Sequence, residues 1–307
     1  MNTNKLSEAI YLALEKQGYR GKLVSIKHSE ELEQSILDKY HKGLIDETLY
    51  QEYRLDFDFD NPFLRSETGS LIIVAAPQPH TRVTFDLNGK TFPCIVPPTY
   101  CHVTDESVEK ILAAQLKKTG HSVQRVIIPY KVLAVRSGLV RFGRNNITYA
   151  EGMGSYFRLS AFFSDLSCPP GTNWTEPKIH DQCQRCSACL KACPAEAIPQ
   201  DRFLLRAERC LTFHNERQDH FPQWIDPSWH NCLIGCLHCQ RVCPIDKNSL
   251  IRVQNGPSFA HHETKALLDE LPIEQIPPET KTKFDKMDLT EYTAILGRNL
   301  RALMRRR

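Results

Sequence analysis

Two stretches decide how this sequence is read: Cys183-Gln184-Arg185-Cys186-Ser187-Ala188-Cys189-Leu190-Lys191-Ala192-Cys193-Pro194 and Cys236-Leu237-His238-Cys239-Gln240-Arg241-Val242-Cys243-Pro244. A cuboidal iron–sulfur cluster needs four soft thiolates converging on four iron corners. Two-residue gaps let one loop supply three of them, while a fourth cysteine set back by three residues reaches a second cube. The spacing therefore predicts two [4Fe-4S] clusters, with Cys183, Cys186, Cys189 and the distant Cys243 on one, and Cys236, Cys239 and Cys193 on the other. The second stretch lacks a leading cysteine, because Leu233 stands three residues before Cys236. Cys210, between the motifs, and Cys232, one residue out of register, are the candidates for the open corner; Cys210 is preferred because Cys232 needs a widened loop where this spacing is strict. Zinc, with four ligands per site, gives no reason for the third close cysteine or for proline after the fourth. Cys94, Cys101 and Cys168 are isolated and read as ordinary thiols.

Working outward, 307 residues suffice for two domains, each with its own core. The 41% hydrophobic and 24% charged fractions are those of an ordinary globular chain, and a net charge of +3 does not demand nucleic acid. Leu71 to Ala76 is the longest apolar run, far too short for a bilayer, and reads as a buried strand; no membrane association is expected. The first residues put Leu6, Ile10 and Leu14 on one helical face among acidic residues, which is not an export signal. A cytoplasmic location follows as the expectation, and there 12 cysteines bind metal in preference to pairing.

The expected fold class is α+β. Helical stretches at 5–17 and 105–118 alternate with strand-like runs at 22–26, 70–76, 82–87 and 124–128, an α/β pattern that defines a cofactor or substrate domain over 1–170. Cys168-Pro169-Pro170-Gly171-Thr172 breaks the pattern. A ferredoxin-like two-cluster domain follows over 171–250, with short helices expected after each Cys-Pro pair. A helical C-terminal cap occupies 251–307, punctuated by Pro272, Pro277 and Pro278. The arginines from Arg298 to Arg307 read as a solvated helical face, with phosphate binding as the alternative. Asp56, Asp58 and Asp60 read as one exposed face, and His238, inside the second cysteine loop, as a residue that tunes a cluster by hydrogen bonding. Arg136, Arg141 and Arg144 form a basic group that either holds a cofactor edge or phosphate, or pairs with acids such as Glu151.

The block Leu133-Ala134-Val135-Arg136-Ser137-Gly138-Leu139, then Gly143-Arg144-Asn145-Asn146, Gly154-Ser155-Tyr156-Phe157 and Phe162-Phe163-Ser164-Asp165-Leu166, resembles the epoxyqueuosine reductase family. The resemblance runs on through Arg209-Cys210-Leu211-Thr212 and Gly235-Cys236-Leu237-His238-Cys239-Gln240, covering roughly residues 125 to 250. It implies an N-terminal domain distantly similar in fold to nitroreductases and holding cobalamin, beside a two-cube ferredoxin domain. It also implies reduction of the epoxide of epoxyqueuosine in tRNA. Position by position it assigns Cys183, Cys186, Cys189 and Cys243 to one cluster and Cys193, Cys210, Cys236 and Cys239 to the other. Gly138, Gly143, Asn145, Gly154 and Ser155 line the implied cofactor cavity, with Arg136 beside it; glycines there allow close approach of a flat macrocycle.

The family's catalytic aspartate has no counterpart in the stretch Gln124 to Tyr130, which holds no carboxylate, so no catalytic residue is assigned. Tyr130 and Lys131 are the titratable side chains nearby. The expected activity is iron–sulfur reduction of a substrate, tRNA or a small molecule, through cobalamin, fed by a low-potential donor such as a ferredoxin or flavodoxin. The alternative is a ferredoxin-like electron-transfer protein without a cofactor of its own.

Overall fold

The computed structural model describes residues 3–98 and 102–305; Cys101, Arg306 and Arg307 lie outside the described residues. The strands are β1 (Arg20–Ser25), β2 (Ser70–Pro77), β3 (His80–Leu87), β4 (Lys90–Val96), β5 (Gln124–Arg125), β6 (Arg141–Phe142), β7 (Thr148–Tyr149), β8 (Phe157–Ser164) and β9 (Val253–Phe259). The helices are α1 (Thr3–Glu15), α2 (His28–His41), α3 (Glu47–Arg54), α4 (His102–Leu116), α5 (Tyr130–Arg136), α6 (Ala188–Ala192), α7 (Leu211–Asn215), α8 (His238–Arg241), α9 (His261–Leu268), α10 (Pro278–Asp285) and α11 (Thr293–Met304). Among the described residues no helix is long and apolar enough to cross a membrane.

The chain divides into two compact units. The first comprises Met1–Pro77, Val103–Cys186 and Asp201–Leu205. Its sheet has the order β1-β2-β8-β5, and every pairing is antiparallel. The parallel sheet of an α/β domain is thus not what forms here, and the unit is α+β. Strand β2 is buried on both faces, and its alternation shows why: Ile72, Val74 and Ala76 pack with Leu6, Ile10 and Leu14 of α1 and Val108, Leu112 and Leu116 of α4. Leu71, Ile73 and Ala75 face the other way, toward Leu32 of α2 and Leu133, Ala134 and Val135 of α5. One central strand with a period of two thus serves two helical layers.

The second unit comprises Gln78–His102, Ser187–Gln200 and Arg206–Arg307. Its sheet has the order β4-β3-β9, antiparallel between β3 and β4 and parallel between β3 and β9. Val83 and Phe85 of β3 share one core with Leu233, Ile234, Phe259, Leu267, Phe284, Leu296 and Leu300. Phe85 stacks on Phe259 with ring centroids 4.6 Å apart, and Phe259 stacks in turn on Phe284 at 5.0 Å. This core corrects the expected boundaries. The 82–87 strand does not belong with the first unit, and residues 251–307 are not a separate helical cap, because β9 and α9–α11 bury their apolar faces on the β3–β4 hairpin. Arg298 and Arg301 are not a free basic face: Arg298 lies over the Phe221 ring and donates to the carbonyls of Asp219 and His214, and Arg301 pairs with Glu270.

Candidate metal centre

Within the second unit the two Cys-Pro motifs repeat one local conformation. The residue before α6, Ser187, has φ −124° and ψ 14°, and Leu237 before α8 has φ −120° and ψ 8°. Cys193 (φ −82°, ψ 103°) and Cys243 (φ −75°, ψ 122°) are both extended. The short helices precede the Cys-Pro pairs instead of following them, a correction with a simple cause. Proline disfavours helical backbone in the residue before it, so each helix must stop there, and Pro244 opens only the 3₁₀ turn Pro244–Asp246.

The thiols of Cys193, Cys210 and Cys236 lie within electrostatic reach of one another: Cys193 acts on Cys210, and both act on Cys236. Burial pushes the free Cys236 thiol up to about 11 and raises that of Cys210, so metal must displace a proton from each. N–H groups surround the sulfurs. The Ala197 amide donates to Cys193 Sγ at 3.4 Å and the Asn231 side-chain amide to Cys236 Sγ at 3.3 Å, while Cys210 takes backbone bonds from Thr212 and Phe213. Among the described residues no three His, Cys, Asp or Glu side chains converge as one metal ion requires.

Cys232 is fully buried and directs its Sγ to Asn231 Oδ1 at 2.9 Å, with the thiols of Cys236 and Cys94 both within electrostatic reach of it. Leu233 next to it is a core residue whose N–H donates to the Ile95 carbonyl at 2.8 Å, which accounts for the second motif starting three residues late. His238 bonds the Trp229 carbonyl through Nε2 at 2.8 Å. Cys239 lies on α8. In the first unit Cys183 sits in the turn Asp181–Arg185, buried, and its carbonyl accepts from Nε and Nη2 of Arg144 at 3.3 and 3.0 Å. Cys186 follows in extended backbone.

The residues expected to line a cofactor cavity have local structural employment. Gly138 closes α5 at φ +74°. A Cβ on Gly143 would collide with the Tyr149 ring and Asn145 Oδ1, so the β6–β7 hairpin itself demands glycine there. Asn145 accepts from the Ile147 amide at 3.2 Å and donates to the Tyr149 hydroxyl at 3.0 Å. Gly154 has φ +61° and pairs with Ala150 in a bridge, and Ser155 beside it is buried. Arg136 pairs with Glu31 and Glu176 at 3.1 and 3.3 Å and lies over the Trp174 ring; Arg141 pairs with Asp181 at 2.7 Å, and Glu151 with Arg20. None of these conformations is a cradle that only a macrocycle explains. Tyr130 donates its hydroxyl to the Val126 carbonyl at 3.0 Å, and Lys131 is exposed.

One charged group escaped sequence reasoning. Asp105, buried on α4, accepts Nε and Nη2 of Arg158, Nη2 of Arg125 and the Ser160 hydroxyl. Burial opposes its ionisation, but the bonds from Arg158 and Ser160 and the charges of Arg158 and Arg125 outweigh it and hold the carboxyl below its ordinary value. The available signal was an acid three residues before Val108 and seven before Leu112, on the apolar face of the helix.

Residues 182–246 match the 4Fe-4S double cluster binding domain family. The epoxyqueuosine reductase of Cyclobacterium marinum is 29% identical over 200 residues, covering 63% of this chain and 61% of the relative. The chain spans about half the length of the curated relatives it matches, 41%, 47% and 61% of three of them. The solved structure of the Bacillus subtilis epoxyqueuosine reductase superposes with a TM-score of 0.68 at 19% identity, over 99% of this chain and 82% of that one. That of an epoxyqueuosine reductase with an epoxyqueuosine-modified tRNA-Tyr stem loop gives 0.66 at 18%, with the same coverages. At such identities the likeness to solved structures is one of fold. By its double-cluster stretch and its aligned relatives the chain is similar to the epoxyqueuosine reductases, at 25–29% identity over part of its length, and it shares their α+β fold.

Proposed function

We propose that this protein is an iron–sulfur oxidoreductase that passes electrons one at a time through two [4Fe-4S] clusters to a cofactor, which reduces a substrate. Cys183, Cys186, Cys189 and Cys243 hold one cluster, and Cys193, Cys210, Cys236 and Cys239 the other. The observation that carries this is the grouping of the Cys193, Cys210 and Cys236 thiols among N–H donors within a stretch that matches the double-cluster family. N–H groups aimed at sulfur stabilise thiolate and cluster charge, which is what the protein supplies to such a site.

The proposed cofactor is cobalamin, on the strength of the family relationship; bound, it would supply a low-potential cobalt centre for cleaving a carbon–oxygen bond. The residues proposed to line its site are Arg136, Gly138, Gly143, Asn145, Gly154 and Ser155. Substrates of the class are tRNA, as in the relative solved with a tRNA stem loop, or a smaller molecule, and the electron donor is a low-potential ferredoxin or flavodoxin in the cytoplasm. A second reading, an electron-transfer protein without its own cofactor, is favoured by the local structural reasons that Gly138, Gly143 and Gly154 already have.

Purification without oxygen, followed by analysis of iron, acid-labile sulfide and cobalt and by a visible-spectrum titration with cobalamin, tests both. About eight irons and eight sulfides per chain are expected. Retained cobalt and a shifted corrin spectrum support the reductase, whereas clusters without any cobalamin response leave the electron carrier.

A further inference from the structure

Asn231 stands five residues before Cys236 and is buried, with every polar atom of its side chain engaged. Its Oδ1 accepts the backbone N–H of Leu237 at 2.9 Å and the thiol of Cys232 at 2.9 Å. Its Nδ2 donates to Cys236 Sγ at 3.3 Å and to the Trp229 carbonyl at 3.4 Å. The orientation of this amide is settled by chemistry. The Leu237 N–H can only donate, so it must face the oxygen, and the Trp229 carbonyl can only accept, so it must face the nitrogen. The group aimed at the Cys236 sulfur is therefore an N–H donor.

We propose that Asn231 is a positioning residue that raises the reduction potential of the cluster held by Cys236, and that Cys232 serves this cluster by fastening the Asn231 amide, not by ligating iron. The inference rests on Cys236 being a cluster ligand. Reduction adds negative charge to a cube and its thiolates. An N–H directed at one of those sulfurs stabilises the reduced state more than the oxidised one, and the potential rises. How firmly the donor is held matters as much as its presence, as it does for partners that orient metal ligands from behind. Two contacts fix Oδ1, and only the one from Cys232 comes from a side chain. Cys232 is poorly suited to be a ligand itself: its thiol is spent on Asn231, and its neighbour Leu233 is locked into the core. A cysteine one residue out of register thus acquires a role that needs that offset.

The test is a redox titration of the anaerobically purified full chain, monitored by electron paramagnetic resonance, with iron counted on each sample. Asn231→Asp keeps the acceptor for Leu237 but replaces the donor to sulfur with an anion. Its expected result is a lower potential for one cluster, an unshifted second cluster and undiminished iron. Cys232→Ala unfastens the amide without removing it and should lower the same potential by less, while Cys232→Ser, whose hydroxyl still donates to Oδ1, should restore it. Should Asn231→Asp fail to load iron, the two Cys232 variants decide alone. Unmoved potentials in iron-replete Asn231→Asp overturn the proposal, or in iron-replete Cys232→Ala where that variant fails to load. So does a loss of about half the iron in Cys232→Ala, which would make Cys232 a ligand. Wild-type protein without iron would instead remove the cluster assignment beneath it.

Discussion

Arg158 grips the carboxylate of Asp105 through Nε and Nη2 at 2.6 and 2.7 Å, beneath the face of α4 that packs on the sheet. Arg125 adds a third contact at 2.7 Å from the two-residue strand β5. Removing the acid leaves two guanidiniums facing each other with little water to screen them. Asp105→Asn should therefore destabilise the protein by about 3–5 kcal/mol, read as a lowered urea midpoint.

Acid should have a matching effect. In the second unit Glu263 takes Lys283 Nζ at 2.5 Å, the Thr280 hydroxyl at 2.8 Å and the Ala260 amide at 2.7 Å. Burial opposes its charge, yet these bonds hold it, like Asp105, below the ordinary carboxylate range. A carboxyl depressed in the folded state stabilises fully above its unfolded pKa of about 4 and loses that contribution as pH falls through its folded value. The melting temperature should be flat above about pH 5 and fall below it, and Asp105→Asn should fall less steeply than wild type in the acid range.

Gly297 of α11 approaches the Leu267 carbonyl of α9 so closely that a Cβ would overlap that backbone oxygen. Alanine gains about 1 kcal/mol of helix propensity over glycine, but overpacking against backbone costs about 1–3 kcal/mol. The expected outcome for Gly297→Ala is a net loss of stability, visible as a lower melting temperature.

Cys94 should be chemically silent. Burial in the β3–β4 hairpin pushes its thiol up to about 12, and the thiolate is the nucleophile. Alkylation of the native protein at pH 8, read by mass spectrometry, should leave Cys94 unmodified, and labelling should appear only after denaturation.

Much of the first unit was legible because its signals are local. The apolar spacing of Leu6, Ile10 and Leu14 gave α1, and the run Leu71 to Ala76 gave β2. The strand expected over 124–128 shrank to Gln124–Arg125, since beyond it the chain turns toward Pro129 and α5. What was not legible depends on distance. Strand β9 lies inside the span expected as a helical cap, 251–307, because its partner, β3, lies far earlier in the chain and nothing in Val253–Phe259 alone announces a parallel pairing. The cysteine spacing announced the clusters, and it also left Cys210 and Cys232 as rivals. The features that bear on that choice, the burial of Leu233 and the bond from the Cys232 thiol to Asn231, are properties of packing that spacing does not carry. Arg136 was expected either beside a cofactor or paired with an acid, and the acids that engage it, Glu31 and Glu176, are too remote in sequence to have been named.

The most direct test of the central claim is the iron and sulfide content of Cys210→Ala beside wild type, both made without oxygen. Wild type should hold about eight irons and the variant about four, with one cluster's resonance signal intact. A colourless wild-type protein, or a Cys210→Ala protein that keeps all of its iron, would contradict it.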